Sequence, residues 1–527
     1  VLPEFFLAIS AVTLYKFKAL SFQKKWSMAG LRCLIFQVIF VSCLSAHLLV
    51  GCATIPVPSR SDRLGEAGLL GTCADFFASL DKRIKQAGVL DSGDFRVKKY
   101  PYLRANRFIA SFREAVDNQA AFDAWTDRMQ VLDQAARKFE IDNLPNTAIA
   151  ALDTTNDRTS IYSKVKTCGN LLKIADFQSV SNQEWLKRNI TGPDDYIGLR
   201  RFFGIYPFTS MFVYSGVRNW HAAAYKKFSH EPPVNWQSLR YYPARNIDEL
   251  SDRQLLGPTG NDALGIPVFS REKLNAIFRR YAPVWEIQFQ NDNDRIGTPT
   301  WTGKDVLDVD TDQPVTYTLL SFTRFGKDIF AQLNYIIWFP SRPKEGAFDI
   351  YGGFLDGLNY RVTLDRNNEP LLYETMHNCG CYYKAYPTNR LQIREQIVYA
   401  EPPLIFKAPE VNHLQNRMTV SMESRTHYVQ HLYPSSRNPQ SATTVYSLAN
   451  YGRLRSLPES TRANKSMFGQ NSITPGSERL ERFILWPMGV LSPGAMRQWG
   501  RHAVAFVGRR HFDDPFFMDK MFYRNAE

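Results

Sequence analysis

Histidine is scarce in this chain, with nine in 527 residues, and there are only seven cysteines. The common catalytic frames built on such residues are missing. There is no G-x-S-x-G elbow, which excludes the usual α/β-hydrolase nucleophile. There is no H-E-x-x-H helix: His230-Glu231 runs straight into Pro232-Pro233, which excludes that zinc site. Gly297 to Asp305, GTPTWTGKD, fails as a phosphate loop. Five residues rather than four separate Gly297 from Gly303-Lys304, and Asp305 replaces the hydroxyl that would hold magnesium. Asp308, Asp310 and Asp312 alternate like a calcium loop, but Gln313 and Leu319 stand where the glycine and the closing glutamate belong. That excludes an EF-hand and leaves a looser calcium site with Asp305, or a solvated turn. No apolar run after Cys52 is long enough to cross a bilayer. No repeat of 20–50 residues is visible, which excludes a solenoid.

Acids are fewer than bases. The chain carries 64 Lys and Arg against 51 Asp and Glu, a net charge of +13. Five of the bases and one acid precede Cys52, so residues 52–527 keep +9. In an exported protein such a surface meets anionic lipid headgroups or cell-wall polymers, and no nucleic acid is expected as a partner. A mildly basic, merely soluble surface is the alternative.

The N-terminus supplies the address. Cys33 to Gly51, CLIFQVIFVSCLSAHLLVG, is apolar, and Arg32, Lys24 and Lys25 precede it. A basic flank, an apolar middle and small residues at the end make a secretory signal. Leu49-Val50-Gly51-Cys52 resembles the lipobox of bacterial lipoproteins, with Met28 a suitable start and residues 1–27 an over-extended one. The resemblance implies cleavage before Cys52 and lipid on its sulfur and new N-terminus. Ala53 then implies sorting to the outer membrane, on its periplasmic face. A retained helical anchor is the other reading. In both, everything past residue 52 lies outside the cytoplasm. Residues 53–67, ATIPVPSRSDRLGEA, are polar and proline-marked, as a tether is.

In that compartment disulfides persist. Cys73, Cys168, Cys379 and Cys381 remain after the leader and Cys52 are set aside. Cys73 and Cys168 fall in predicted helices. A bridge between them closes a long loop; two buried thiols are the alternative. Helical periodicity begins near Thr72, which with Asp75 has the spacing of a capping box. Phe76, Phe77, Leu80 and Ile84 share one face, and Gly88 is a natural stop. Phe122, Trp125, Met129, Leu132 and Ala136 make a second stripe, and Ile161, Val165, Cys168 and Leu172 a third.

Past residue 230 the period changes. Val315 to Phe322 and Asp328 to Phe339 read as strands. Asn359–Leu364 and Leu371–Met376 flank the polar turn Asp365-Arg366-Asn367-Asn368, a hairpin signal. Met418–Met422 and Thr426–Tyr433 continue the pattern, and a last helix is predicted from Pro493 through Trp499. The expected organisation is a signal peptide over 1–51, a lipidated tether over 52–67, a helical domain over 68–230 and a β-rich domain over 231–527. The fold class is α+β, with a mostly antiparallel sandwich or jelly-roll-like C-terminal part.

The most unusual stretch is His377-Asn378-Cys379-Gly380-Cys381-Tyr382, at the end of the predicted hairpin. Three chemistries compete for it. Cys379 and Cys381 can form a tight, oxidising disulfide beside His377. His377, Cys379 and Cys381 can hold a transition metal, although C-x-C is closer than the usual zinc spacing and needs further ligands. Or two small cysteines and a glycine fill a tight corner. His427 and His431 lie on a predicted strand, where four residues span about 13 Å, so at most one of them can join His377. His511 with Asp513 and Asp514 offers a general base held by an acid, or a cluster of surface ion pairs. The function expected is a lipid-anchored binding or assembly module at the outer membrane. The rival is a periplasmic metal-dependent or thiol-redox enzyme centred on His377, Cys379 and Cys381, with His427 or His511 contributed through space.

Overall fold

The computed structural model describes residues 60–525 except 154, 230, 232–236, 245–256, 304, 347, 397, 438–443 and 460–463. The signal sequence, Cys52 and most of the tether lie outside the described residues. The chain is α+β: an N-terminal helical region precedes one large, mixed, curled sheet of half-barrel form.

Helix α1 (Leu69–Ala87) buries Phe76, Phe77, Leu80 and Ile84 on one stripe. It ends at Gly88, whose φ of 71° is left-handed and whose N–H returns to the last turn. Its start corrects the capping-box expectation. The helix begins one turn earlier, at Gly68, and the Thr72 hydroxyl donates to the Gly68 carbonyl instead of capping. Helix α2 (Gln119–Asp142) is capped by the Asn118 side chain and α3 (Arg158–Phe177) by that of Asp157. Cys73 of α1 and Cys168 of α3 form a disulfide inside this core. Beside it Arg104 binds Asp133 and Glu140, and Arg137 binds Asp133 from the other side, all of them buried. Helix α4 (Val180–Asn189) follows, and α5 (Tyr206–Lys227) leaves this core for the sheet.

The sheet is built from β1 (Ser238–Pro243), β2 (Val284–Gln288), β3 (Val315–Phe325), β4 (Asp328–Arg342), β5 (Gly353–Leu364), β6 (Pro370–His377), β7 (Lys384–Pro387), β8 (Leu404–Ile405), β9 (Asn416–Met422), β10 (Val429–Ser436) and β11 (Thr444–Asn450). Its order is β8-β7-β6-β5-β4-β3-β11-β1-β2-β9-β10. Strands β3 to β7 run antiparallel as a meander. Strand β11 lies parallel to both of its neighbours, and β2 lies parallel to β9. One continuous sheet thus stands where a sandwich or jelly roll was expected. The difference arises because β11 returns late in the chain and inserts between β3 and β1, joining what would be two sheets.

Alternation gives each strand two faces. On β4, Leu333, Tyr335, Ile337 and Phe339 face the concave core with Tyr360, Trp285 and Val420, while Ile336 and Trp338 face a second core with Leu355 and Cys379. The hairpin turn is as expected: Asp365 accepts from the N–H groups of Asn367 and Glu369 at 2.8 Å each. The helix expected over Pro493–Trp499 does not form. Ser492, Gly494 and Gly500 adopt positive φ, and Arg497 pairs as a bridge with Ile473. Among the described residues no helix is long and apolar enough to cross a membrane.

Candidate functional site

Strand β6 ends at His377, and the chain turns at once. The Gly380 N–H donates to the His377 carbonyl at 2.7 Å, and the His377 N–H to the Cys381 carbonyl at 3.1 Å. Gly380 has a φ of 97°, and a Cβ there would lie 2.4 Å from the Ala503 carbonyl oxygen, so only glycine fits. Arg497 and His502 pin the corner from outside through the carbonyls of Cys379 and Asn378. Asn378 reaches the Ile337 carbonyl at 3.1 Å.

The two cysteines are free thiols. Cys379 packs into the second core with Trp338 and Leu355, and its sulfur accepts the Cys381 N–H at 3.4 Å. The hydrogen bond to Cys379 and burial push the Cys381 thiol well above its usual range, so it stays protonated at neutral pH. His377 faces the other way, into the concave side. The corner therefore separates the imidazole from the thiols that the sequence reading grouped with it. Among the described residues, no three His, Cys, Asp or Glu side chains are arranged to hold a metal ion.

On the concave side His377 meets Asp356 of β5, with Nδ1 3.5 Å from Oδ1. The other oxygen of Asp356 takes Nδ1 of His427 at 2.8 Å. Nε2 of His427 faces Asp294 at 3.6 Å. Asp294 is itself held by the N–H groups of Arg425, Gln290 and Asn291. The four residues form a buried line, Asp294–His427–Asp356–His377, with none more than 2 % exposed. Phe339 seals it, stacked on the His427 ring at 3.8 Å and 2°. His427 reaches this place from the loop before β10, with a left-handed φ of 52°. His431, on β10, is directed to Ser229 at 2.7 Å. One of the two histidines shares Asp356 with His377, but from a left-handed loop position and not from the strand expected over Thr426–Tyr433, which begins only at Val429.

Burial and hydrogen bonding oppose each other at every group of the line. Burial favours neutral Asp356, but hydrogen bonds from His377 and His427 hold its carboxyl well below the usual range. Burial likewise opposes ionised Asp294, and His427 and three backbone N–H groups outweigh it. Burial disfavours charged His427, and the two carboxylates raise its pKa in spite of that. For His377 burial wins: its pKa is lowered, and the ring is neutral. Its Nε2 is buried with no hydrogen-bond partner among the described residues.

Above this line lies a half-buried layer. Arg342, at the end of β4, donates to Tyr428 at 3.2 Å and to Tyr382 at 3.4 Å. Tyr382 lies 5.0 Å from the His377 ring and 4.3 Å from Tyr428. Trp220 of α5 covers both tyrosines, at 5.3 and 6.5 Å. Behind them Glu481 is buried, which raises its pKa to about 7 against the pull of Arg342 and Arg479.

His511 and Asp513 belong elsewhere. His511 Nε2 accepts the Asp195 N–H at 3.3 Å, and Arg107 bridges Asp513 and Asp195 at 2.6 and 2.7 Å. Burial lowers the His511 pKa to about 3. The pair joins the helical region to the C-terminal segment. Asp310 spends both oxygens on the Asp312 N–H and the Gln313 amide, as a turn does, while Asp308 accepts the Val309 N–H from within a short paired strand, Val306–Asp310.

Sequence reasoning missed Asp294, Asp356, Phe339, Arg342, Tyr428 and Trp220. Only Asp356 left a signal, as the single acid in the strand Gly353–Leu364. Comparison of the chain with known families, curated proteins and solved structures finds no match.

Proposed function

We propose that the protein is a lipid-anchored bacterial envelope protein that acts as a binding module, with Trp220, Tyr382, Tyr428 and Arg342 as its ligand face. The observation that carries this reading is the guanidinium of Arg342. It is half-buried, fixed by two phenol hydroxyls, and set above a sealed line of ion pairs. Rotamers locked from below preorganise a recognition surface. Arg with flanking aromatic rings suits a ligand that carries both carboxylates and ring faces. In the envelope an anionic cell-wall polymer has that chemistry. The Cys73–Cys168 bridge fits an oxidising compartment.

Co-sedimentation of the full-length protein with purified peptidoglycan tests this. Arg342→Met should weaken binding roughly tenfold or more, as loss of a charge-assisted contact does. Unchanged binding, with unchanged thermal unfolding, would count against the ligand face.

A periplasmic enzyme is the second reading, favoured by the unpartnered Nε2 of His377 beside Asp356. A neutral imidazole oriented by a carboxylate is the usual form of a general base. A turnover abolished by His377→Gln and retained in Arg342→Met would select it. A transition metal that co-purifies and is lost in the Cys379→Ser, Cys381→Ser double variant would select its metal-dependent form.

A further inference from the structure

Helix α5 is unusual at its other end. Between Asp195 and Glu231 the sequence has no acidic residue, while Arg200, Arg201, Arg218, Lys226 and Lys227 are all basic. Over Tyr206–Lys227 only Ser210 is buried. The C-terminal half still packs, through Trp220 on the tyrosines and through Tyr225 and Phe228 on Phe406. The N-terminal half and the short helix before it turn their large apolar side chains to solvent. Phe202 is 77 % exposed, Phe208 and Met211 are 66 % each, and Leu199, Phe203 and Phe212 are exposed with them.

A second segment extends this face. The Ile197 N–H donates to the Gly489 carbonyl at 2.8 Å, and Arg201 to the Met488 carbonyl at 2.9 Å. Gly204 lies so close to Pro487 that a Cβ would sit 2.4 Å away. The adjoining turn Arg482–Leu485 exposes Phe483 and Ile484. Scattered apolar residues on a surface mean little, but a contiguous aromatic face marks a place of association.

We infer that this face docks on the surface of an anionic lipid bilayer. Charge selects the occupant. Arg218 is exposed one to two turns beyond the phenylalanines and Lys226 and Lys227 at the far end of the same helix, and no acidic residue lies between Asp195 and Glu231 to offset them. Two copies pairing along this helix would bring together two segments that carry cations and have no acid of their own to answer them. Anionic headgroups neutralise them, while the phenylalanines enter the interfacial layer. The helix lies flat, since no described helix is apolar enough to span. Which bilayer is meant rests on the envelope reading above: if Cys52 carries lipid, the eight residues to Arg60 hold the body within about 30 Å of the headgroups. The same helix then rests on lipid at one end and covers the tyrosines at the other.

The test uses full-length protein reconstituted in phosphatidylcholine–phosphatidylglycerol vesicles, with an environment-sensitive fluorophore on Phe208→Cys. Val131→Cys, at an exposed position on α2, is the control. The label at 208 should shift to the blue and be quenched by spin-labelled lipid, and the label at 131 should not. Adding Phe202→Ser and Phe212→Ser should reduce the lipid-bound fraction of the 208 label, about tenfold in partition for each phenylalanine lost. A label at 208 that stays aqueous on vesicles overturns the inference. So does a blue shift without vesicles, which would make the occupant a second copy. Intact mass, measured on the same sample, reports the anchor separately. Lipidated protein with an aqueous label leaves the tether and removes the docking face; unlipidated protein with a quenched label does the reverse.

Discussion

His377 carries the argument at the scale of single residues, because its neutral state follows from where the chain places it. Five other histidines share that fate, three of them most strongly. Burial lowers His413, His502 and His511 to about 3, with neighbouring arginines adding to it. Each is neutral in the fold and must take up a proton on unfolding below about pH 6.5. Their contribution to stability is complete above that pH and is lost as the pH falls toward 3. Each contributes a slope of about 1.4 kcal/mol per pH unit. His427 has the opposite sign. Its pKa is raised, so its contribution is complete below about pH 6.5 and is lost as the pH climbs through the folded value. Urea midpoints should therefore fall steadily from pH 6.5 to 4.5, and His413→Gln should flatten that fall by about one group's share. A flat profile over this range would contradict the assignment of neutral buried histidines.

At the scale of elements the testable link is the bridge between α1 and α3. It spans 95 residues of sequence. Restricting the unfolded chain over such a loop stabilises the fold by about 4–5 kcal/mol in the chain-entropy account. The Cys73→Ser, Cys168→Ser double variant should lose several kcal/mol in denaturant titration, and its loss should be greatest in hydrogen exchange of α1 and α3. A loss below about 1 kcal/mol would show that residual structure in the unfolded state cancels the constraint. These helices were legible because each stripe repeats at helical spacing. The long strands β4, β5 and β6 were legible because β-branched and aromatic residues crowd into them and a polar turn divides β5 from β6. Their order in the sheet was not legible. Insertion of β11 between β3 and β1 depends on contacts far apart in sequence, and no local pattern encodes it. The site divides the same way. His377 and His427 were visible as rare residues, whereas Asp294 and Arg342 are ordinary charges until the sheet curls. The Cys379–Cys381 pair misled because strand alternation and the glycine corner turn it away from the imidazole.

For the whole molecule, the helical region, the sheet and the C-terminal segment are joined by buried ion pairs such as Arg107 with Asp195 and Asp513. One rigidly supported aromatic face and one exposed apolar face share helix α5. Both gain meaning from the compartment. A cell-wall ligand is available only to a chain that has left the cytoplasm, and which lipid surface the second face meets depends on the same step. Location is the central claim, and the leader is its ground. Mass spectrometry of the N-terminal peptide from native protein tests it most directly. The account predicts a first residue of Cys52, carrying a diacylglyceryl thioether and an acylated amine. A cytosolic protein with an unmodified Cys52, still joined to the apolar residues before it, would contradict it.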